Sequence, residues 1–269
     1  MDILTQTAKA VIFLGSFNAL RYFIIAGIPF LLLYIVYKKH VEKMKIQQIQ
    51  ATNKDFYREI LYSIQAGFIT AFIIVMIIKT DLKQHSLIYA RINDYPTYWL
   101  FISYFLAILC HDTWFYWLHR FFHLPWVYDK VHRIHHLSVN PSPWTSFSFH
   151  FLEAVGEGLV VLPLVFLIPM HLYTLFFFGL SIFIINVYGH LGYEIAPKWF
   201  RKSFLFEIIN TSVHHNLHHS KFKGNYGLYF RCWDRIMGTE NPAYSQAFDE
   251  IQAKRFPNQT VSKHTNQIL

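Results

Sequence analysis

Histidines are the residues of this chain whose type and spacing could support chemistry. The 269-residue sequence contains 16 of them, as many as all its Asp and Glu residues together. Offsets of three and four residues place side chains on one face of a helix, so a cluster with that spacing directs its imidazoles to one point. His190 stands alone near these clusters. The clusters are His119 and His123; His132, His135 and His136; and His215, His218 and His219.

Eight or nine imidazoles are enough for two metal ions, since one ion takes about four to six ligands. Imidazole binds iron, zinc, copper and nickel, and the chain lacks the thiolate pairs and paired carboxylates typical of other metal sites. Two redox-active metals beside lipid would indicate activation of O₂ and attack on an unactivated C–H bond. Zinc would instead indicate a hydrolase or a transporter. The histidines alone leave these alternatives open.

The composition indicates that the elements carrying these histidines lie in a membrane. Hydrophobic residues make up 54% of the chain, charged residues only 15%, and the mean hydropathy is +0.25. A soluble domain usually carries about 25% charged residues, and a disordered chain is poor in aromatic residues, so both classes are excluded. Two cysteines are too few for a disulfide framework.

Five apolar stretches are long enough, or nearly so, to cross a hydrocarbon core, which takes about 20 residues. The last two are short and form a hairpin that could be re-entrant. The sequence therefore predicts an all-α, multi-pass integral membrane protein with about four to five spans and a cytoplasmic, histidine-rich helical cap. We expect membrane spans in 1–95, a catalytic domain in 96–242 and a C-terminal tail in 243–269. The stretches are 19–37, 60–78, 97–118, 153–169 and 172–189.

The distribution of basic residues predicts the orientation. Nineteen of the 24 Lys and Arg lie in 38–59, 119–150 and 190–269, which this topology places on one side. By the positive-inside rule that side is cytoplasmic, in a bacterial inner membrane or an endoplasmic reticulum. Topology thus accounts for the net charge of +8, and we expect no nucleic-acid partner. All the histidine clusters can then meet at one cytoplasmic membrane surface.

A long stretch around the histidines resembles a known family. The runs DTWFYWLHRFFH, VHRIHH, GHLGYE and HHNLHHSKFKGNYGLYFRCWDRIMGT are similar to the fatty acid hydroxylase/sterol desaturase superfamily, and to its sterol C-5 desaturase-like branch in particular, over roughly residues 107–242. The resemblance implies a non-haem di-iron oxidoreductase that uses O₂ and two external electrons to hydroxylate or desaturate a lipid. Carried over residue by residue, the implied iron ligands are His119, His123, His132, His135, His136, His190, His215, His218 and His219.

Two carboxylates are further candidates for the catalytic site. Some members of the superfamily carry one more histidine four residues after the one matching His190, where this chain has Glu194. We expect Glu194 to support the site or to bind iron weakly. Asp112 lies two helical turns before His119 on the same face, and we expect it to accept the N–H of a ligating imidazole.

Several other residues receive weaker predictions. Glu153 and Glu157 either orient histidines, line a substrate entrance or extend toward the interface. Asn225-Tyr226-Gly227 is predicted to be a turn in which the glycine has a positive φ. We expect His150 and His214 to support the ligands, and Trp144, Phe147 and Phe149 to line a lipid pocket or an interfacial belt. We assign no function to His40, His85, His171 and His264.

The partners follow from the predicted reaction. The chain has no haem domain and no G-x-G-x-x-G fingerprint, so electrons are expected from a ferredoxin or a small haem protein with its NAD(P)H reductase. The substrate is a lipid from the bilayer, whether a sterol, a fatty acyl chain, a sphingolipid or a carotenoid. Two alternatives stay open: a histidine-rich membrane metal transporter, which needs polar residues through its spans, and a zinc-dependent lipid hydrolase.

Overall fold

The computed structural model describes residues 2–49 and 51–257, and most of these fold into helices. Their only paired strands are β1 (Ile88–Tyr89) and β2 (Met170–His171), each of two residues. The prediction of an all-α membrane protein is confirmed. The first eight α-helices are α1 (Ile3–Phe30), α2 (Asn53–Lys79), α3 (Tyr98–Phe122), α4 (Pro125–Val131), α5 (Arg133–His136), α6 (Phe151–Gly158), α7 (Val161–Leu167) and α8 (Leu172–Gly189). The last four are α9 (Phe204–Ile208), α10 (Ser212–Lys221), α11 (Cys232–Ile236) and α12 (Tyr244–Arg255).

Helices α1 and α2 form a long hairpin of apolar helices. The Asp2 side chain accepts a hydrogen bond from the Thr5 amide at the start of α1, and Thr52 and Asp55 form a capping box at the start of α2. A π-helical segment, Leu31–Val36, continues α1. Gly15 faces the ring of Phe68, so a side chain at this position would separate the two helices.

Within residues 2–49 and 51–257, three segments are long and apolar enough to cross a membrane: Ile3–Val36, Asn53–Lys79 and Leu172–Gly189. Helix α3 has 25 residues, which is about 37 Å of helix, but His111, Asp112 and His119 make its second half more polar. It packs along α8, where the Tyr104 hydroxyl lies 2.6 Å from the Ser181 hydroxyl. The number of spans therefore stays a prediction.

The segment 153–169 differs from the single span considered from the sequence. It forms α6 and α7, two short helices separated at Leu159 and Val160. Seven or eight residues give only about 10–12 Å of helix, which is too short to cross a core of ~30 Å. This arm of the predicted hairpin is therefore broken and packs against α2 and α3.

Two short connections meet at the end of the helices that is remote from the histidines. The loop between α2 and α3 contains β1, which pairs in parallel with β2 just before α8. The His171 Nε2 hydrogen bonds with the Ala90 carbonyl at 3.0 Å, and the Trp99 indole donates to the Pro169 carbonyl at 2.8 Å. His171 is therefore held at this end of the helices, where it is buried and distant from the three histidine clusters.

The opposite end is a cap built from α4, α5 and α9–α12. Helix α12 packs Phe248 and Ile251 against Phe206 of α9, so part of the segment predicted as a tail is a folded helix. Residues 258–269, including His264, lie outside the described residues.

The N-terminal hairpin is attached to this cap by hydrogen bonds. The buried Glu59 carboxylate of α2 accepts from the hydroxyls of Ser138 and Ser142 at 2.6 and 2.8 Å. The Tyr34 hydroxyl donates to the Leu191 carbonyl at 2.8 Å. The loop between α1 and α2 therefore lies on the same side as the cap.

This arrangement predicts the side from which each loop can be labelled. With Cys232 replaced by Ser, Lys130→Cys and Lys202→Cys should both react with a membrane-impermeant maleimide from one side, and Asp94→Cys from the other. All three positions are exposed. Labelling of positions 130 and 202 from opposite sides would contradict the fold, since the histidine clusters could not then meet.

Candidate metal centre

All nine histidines predicted as ligands converge in the cap, and they do so as two groups. Within each group the nearest ring nitrogens all lie within 4.8 Å of one another. Eight of the nine rings are buried, and His123 is partly buried. The first group is His119, His123, His132, His136 and His218, and the second is His135, His190, His215 and His219. Their role as metal ligands stays a prediction.

The division into two groups follows helical geometry. On a helix, residues i and i+4 are rotated by about 40° from each other, whereas residue i+3 lies about 100° from residue i+4. The i, i+4 pair His132 and His136 therefore shares the first group, while the intervening His135 faces the second. In α10, His215 and His219 share the second group and His218 faces the first. Each three-histidine cluster thus contributes to both groups.

The Nε2 atoms face one another at distances that suit a shared ion. In the first group, five Nε2–Nε2 separations are 3.0 to 3.2 Å. In the second, three are 3.0 to 3.3 Å. Ligands at right angles around an ion, with metal–nitrogen distances of about 2.1 Å, are about 3.0 Å apart. The spacing of the imidazoles therefore matches that of adjacent ligands on one ion.

The outer ring nitrogens of five histidines are held by oxygen acceptors. The Nδ1 atoms of His119, His190, His218 and His219 lie 2.7 to 3.0 Å from backbone carbonyls. The Nδ1 of His132 lies 2.7 Å from Oε1 of Glu153. A carbonyl can only accept, so Nδ1 carries the hydrogen and the neutral Nε2 presents a lone pair. Facing lone pairs, as between His119 and His132 at 3.1 Å, repel each other unless a cation lies between them.

Burial keeps these imidazoles neutral. Desolvation lowers the pKa of His190 and of His218 to about 4. It also lowers the pKa of His135, His215 and His219 well below the usual histidine range, and the neighbouring imidazoles lower it further. Metal ions bind the deprotonated imidazole, so the rings are already in the ligating form near neutral pH.

Glu153 contacts the first group directly. It is 1% exposed, and its carboxylate orients His132 from the first turn of α6. Of the three alternatives expected for Glu153, this contact matches the one in which it orients a histidine. Glu157, one turn later, lines a large apolar cavity beside the site.

Asp112 contacts backbone rather than an imidazole. Its Oδ1 accepts hydrogen bonds from the amides of Tyr229 and Phe230 at 2.8 and 3.2 Å. The same loop carries the Tyr226 carbonyl that accepts from His119. Asp112 therefore positions the loop that holds a histidine, instead of accepting an imidazole N–H itself.

Glu194 also holds backbone. Its two carboxylate oxygens accept from the amides of Ala196 and Val213 at 2.8 and 3.2 Å. Val213 lies two residues before His215, so the carboxylate anchors the start of α10. Glu194 belongs to neither histidine group.

The turn at 225–227 differs from the prediction in one respect. In and just before this turn, φ is positive at Phe222, Gly224 and Asn225 but not at Gly227, so the predicted positive φ at Gly227 is wrong. Gly227 is needed for another reason: a Cβ there would collide with the Phe230 carbonyl oxygen. Its amide and that of Tyr226 donate to Asp234.

Four further side chains named from the sequence lie either against the histidine groups or away from them. The Tyr226 ring packs against three rings of the first group, and the Phe149 ring lies 5.2 Å from that of His135. His214 turns away from both groups and packs against Tyr244, with ring centroids 5.0 Å apart. His150 caps the start of α6 by accepting from the Leu152 amide.

The aromatic residues and the isolated histidines can be placed as well. Phe147 lines the cavity together with Phe149, and the Trp144 carbonyl accepts from the Tyr22 hydroxyl at 2.7 Å. His40 and His85 are exposed outside both groups.

Sequence reasoning missed His111. Its Nδ1 lies 2.8 Å from the Tyr229 hydroxyl, and the side chain lines the same cavity as Glu157. The available signal was its position eight residues before His119, on the same face of α3, together with the rarity of ionisable groups inside membrane helices.

The fold and the site define a helical membrane protein with a buried centre of nine histidines that could bind metal. The family model for fatty acid hydroxylase matches residues 104–239. The chain belongs to the fatty acid hydroxylase family, and the resemblance seen in the sequence is confirmed.

Named relatives fall in the sterol desaturase branch. The chain is 31% identical over 244 residues to a Delta(7)-sterol 5(6)-desaturase of Gibberella zeae, covering 88% of this chain and 70% of that protein. It is 29% identical over 243 residues to the lathosterol oxidase of Rattus norvegicus, covering 88% and 76%. It is also 29% identical over 252 residues to the lathosterol oxidase of Homo sapiens, and the match covers 90% of this chain and 78% of that protein. No solved structure matches the chain.

The contact between Glu153 and His132 makes a testable prediction. Glu153→Ala removes the acceptor that fixes the ring, and loss of such a partner typically weakens metal affinity about 10–100-fold. The measurement is bound metal during titration with a chelator. Glu250→Ala, at an exposed position of α12, is the matched control and should behave like the unmodified protein. Equal chelator resistance in both variants would show that Glu153 does not support the centre.

Proposed function

We propose that the protein is a membrane-bound, non-haem di-iron oxidoreductase that uses O₂ and two external electrons to hydroxylate or desaturate a lipid. The observation that carries the proposal is the convergence of nine buried imidazoles in two adjacent groups of five and four. All-imidazole sites suit iron, and membership of the fatty acid hydroxylase family supports iron over zinc.

The first group would hold one iron and the second group the other. When bound, the iron pair supplies the activation of O₂ and the abstraction of hydrogen from a C–H bond. The protein's own residues keep the imidazoles neutral, orient them through carbonyl and carboxylate acceptors, and exclude water. Asp112 and Glu194 contribute by fixing the backbone that carries His119 and His215.

A lipid substrate agrees with the apolar surroundings of the centre. A cavity of about 820 Å³ lies among α1, α2, α3, α6 and α8, and it includes Phe149, whose ring contacts His135. The relatives are named for oxidising sterols, so we propose a sterol or fatty acyl lipid. Hydroxylation and desaturation both begin with removal of one hydrogen and differ in whether a hydroxyl is added or a second hydrogen is lost.

Electrons would arrive from a separate carrier, a ferredoxin or a small haem protein with its NAD(P)H reductase. We propose that the cap faces the cytoplasm, because the basic segments 38–49, 51–59, 119–150 and 190–257 lie on its side. A bacterial inner membrane or an endoplasmic reticulum would satisfy this orientation. On this proposal the carrier approaches the same surface.

Comparative lipid mass spectrometry, with and without the protein, tests the reaction. A product 16 mass units heavier indicates hydroxylation, and one lighter by 2 indicates desaturation (values set by the added oxygen or the two lost hydrogens). The product should disappear when O₂ is excluded or the electron carrier is omitted. An unchanged lipid profile, or product formed with zinc alone and no O₂ uptake, would contradict the proposal.

Single histidine replacements test the assignment of ligands. His218→Ala and His135→Ala remove one ligand from the first and second group respectively, so each should lose iron and abolish product while the protein still inserts. His214→Ala is the matched control, because this buried ring lies beside His215 but outside both groups. It should lower turnover yet keep most of the iron, and His85→Ala should keep both. If His214→Ala loses iron and His215→Ala retains it, the ligand is His214 and the assignment of His215 is wrong.

A further inference from the structure

The cavity beside the centre is apolar along most of its wall and long enough to span the helical layer. At one end it is lined by Lys83 and Tyr89, from the loop remote from the histidines. At the other it reaches Phe149 and Asn186, and Asn186 lies one turn before His190. A cavity of about 820 Å³ is in the size range of sites that bury a whole small ligand.

Two cations line this cavity: Lys83, in the loop at the remote end, and Arg21, which lies among the helices. Arg21 lies inside helix α1 (Ile3–Phe30). Its guanidinium carbon is 3.9 Å from the centroid of the Phe183 ring, and its Nε is buried without a hydrogen-bond partner. Among residues 2–49 and 51–257, no carboxylate forms an ion pair with it. A charged group at this depth costs free energy, and such groups inside membrane helices commonly mark functional sites.

Asn18 holds the guanidinium in place. Its side-chain Nδ2 donates to the Gly67 carbonyl of α2 at 3.0 Å, which turns its Oδ1 toward Arg21. The Arg21 Nη2 donates to that Oδ1 at 3.0 Å. Asn18 is buried, so this chain of two hydrogen bonds fixes the side chain between α1 and α2. A guanidinium has five N–H donors, and this bond satisfies one of them.

The distance from Arg21 to the histidines follows from α8. The guanidinium lies against Phe183 and Gly179, where a Cβ on Gly179 would be 3.2 Å from Nη1. His190 caps the end of the same helix, 7 residues after Phe183 and 11 residues after Gly179. At 1.5 Å per residue, Arg21 lies about 10–16 Å from the level of His190 along the helix axis.

We propose that Arg21, held by Asn18, binds the polar end of the lipid substrate. The ligand would be an amphiphile whose hydrogen-bond-accepting oxygen is remote from the C–H bond presented to the histidines, by about 10–16 Å along the axis of α8. A guanidinium donates to both carboxylate and hydroxyl oxygens, so a fatty acid and a hydroxylated ring lipid share this chemistry. The inference rests on the proposed lipid oxidation, since it assigns the substrate end that faces away from the histidines.

The test measures binding to the purified, iron-loaded protein in detergent. The probes are stearate against octadecane, and lathosterol against the same ring system without its hydroxyl. For at least one pair, the oxygenated member should bind about tenfold more tightly, as a hydrogen bond to a charged group allows. Arg21→Met should remove that preference and leave the iron content unchanged. Arg91→Met, in the exposed loop outside the cavity, should keep it.

The outcome for each pair also identifies the head group. Preference within the stearate pair indicates a carboxylate, and preference within the lathosterol pair indicates a hydroxyl. Absence of preference in the unmodified protein, or the full preference in Arg21→Met, would overturn the assignment. If Arg21→Met does not insert, the deciding variant is Arg21→Lys, which keeps the charge without the fork-shaped donors. The preference for the oxygenated ligand should then fall severalfold. An unchanged preference would overturn the assignment.

This binding test separates the assignment from the proposed reaction. Binding needs no turnover, so a lost preference in Arg21→Met supports the anchor even if no oxidised product is found. Conversely, if Arg21→Met keeps the binding preference, the iron content and the product of the unmodified protein, Arg21 is not the anchor and the proposed reaction is unaffected. Where product forms, its oxidised carbon should be remote from the head group rather than next to it, because Arg21 and His190 lie about 10–16 Å apart along the axis of α8.

Discussion

The repulsion between inward-facing nitrogen lone pairs is the constraint on which the rest of this structure depends. Nine imidazoles share one buried volume, and in at least five of them an oxygen acceptor on the outer nitrogen fixes the inner one as a lone pair. Buried polar groups without partners cost roughly 1–3 kcal/mol each in proteins. A cation in each group would remove this cost, so metal binding and the stability of the cap would be coupled.

The carboxylates near the centre serve this constraint from a distance. Glu153 contacts His132 directly, whereas Asp112 and Glu194 accept from backbone amides. Asp112 fixes the loop whose carbonyl holds His119, and Glu194 fixes the start of the helix that carries His215 and His219. The buried Glu59 joins the N-terminal hairpin to the loop after α5 through two serine hydroxyls. Carboxylates thus fix the backbone, and the imidazoles remain free to face a metal.

The membrane class and the convergence of the histidines could be predicted from the sequence because both follow from patterns among neighbouring residues. Apolar runs and i, i+3, i+4 spacing need no knowledge of distant contacts. The division into two groups was not predicted, since it requires the relative position of α5 and α10. The roles of Asp112 and Glu194 were also missed, because their partners lie 117 and 19 residues away along the chain. His111 was missed because its offset of eight residues from His119 lies outside the i, i+3, i+4 pattern, and Arg21 because an isolated polar residue has no spacing pattern. The cavity reveals their common surroundings.

The most direct test of this account is X-ray absorption spectroscopy of the iron-loaded protein, combined with metal analysis. Two groups of imidazoles predict two irons per chain, with a nitrogen-dominated first shell at about 2.1 Å and the outer-shell scattering typical of histidine rings. A single iron per chain, or a first shell dominated by carboxylate oxygens, would contradict the assignment of nine histidines to two metal sites.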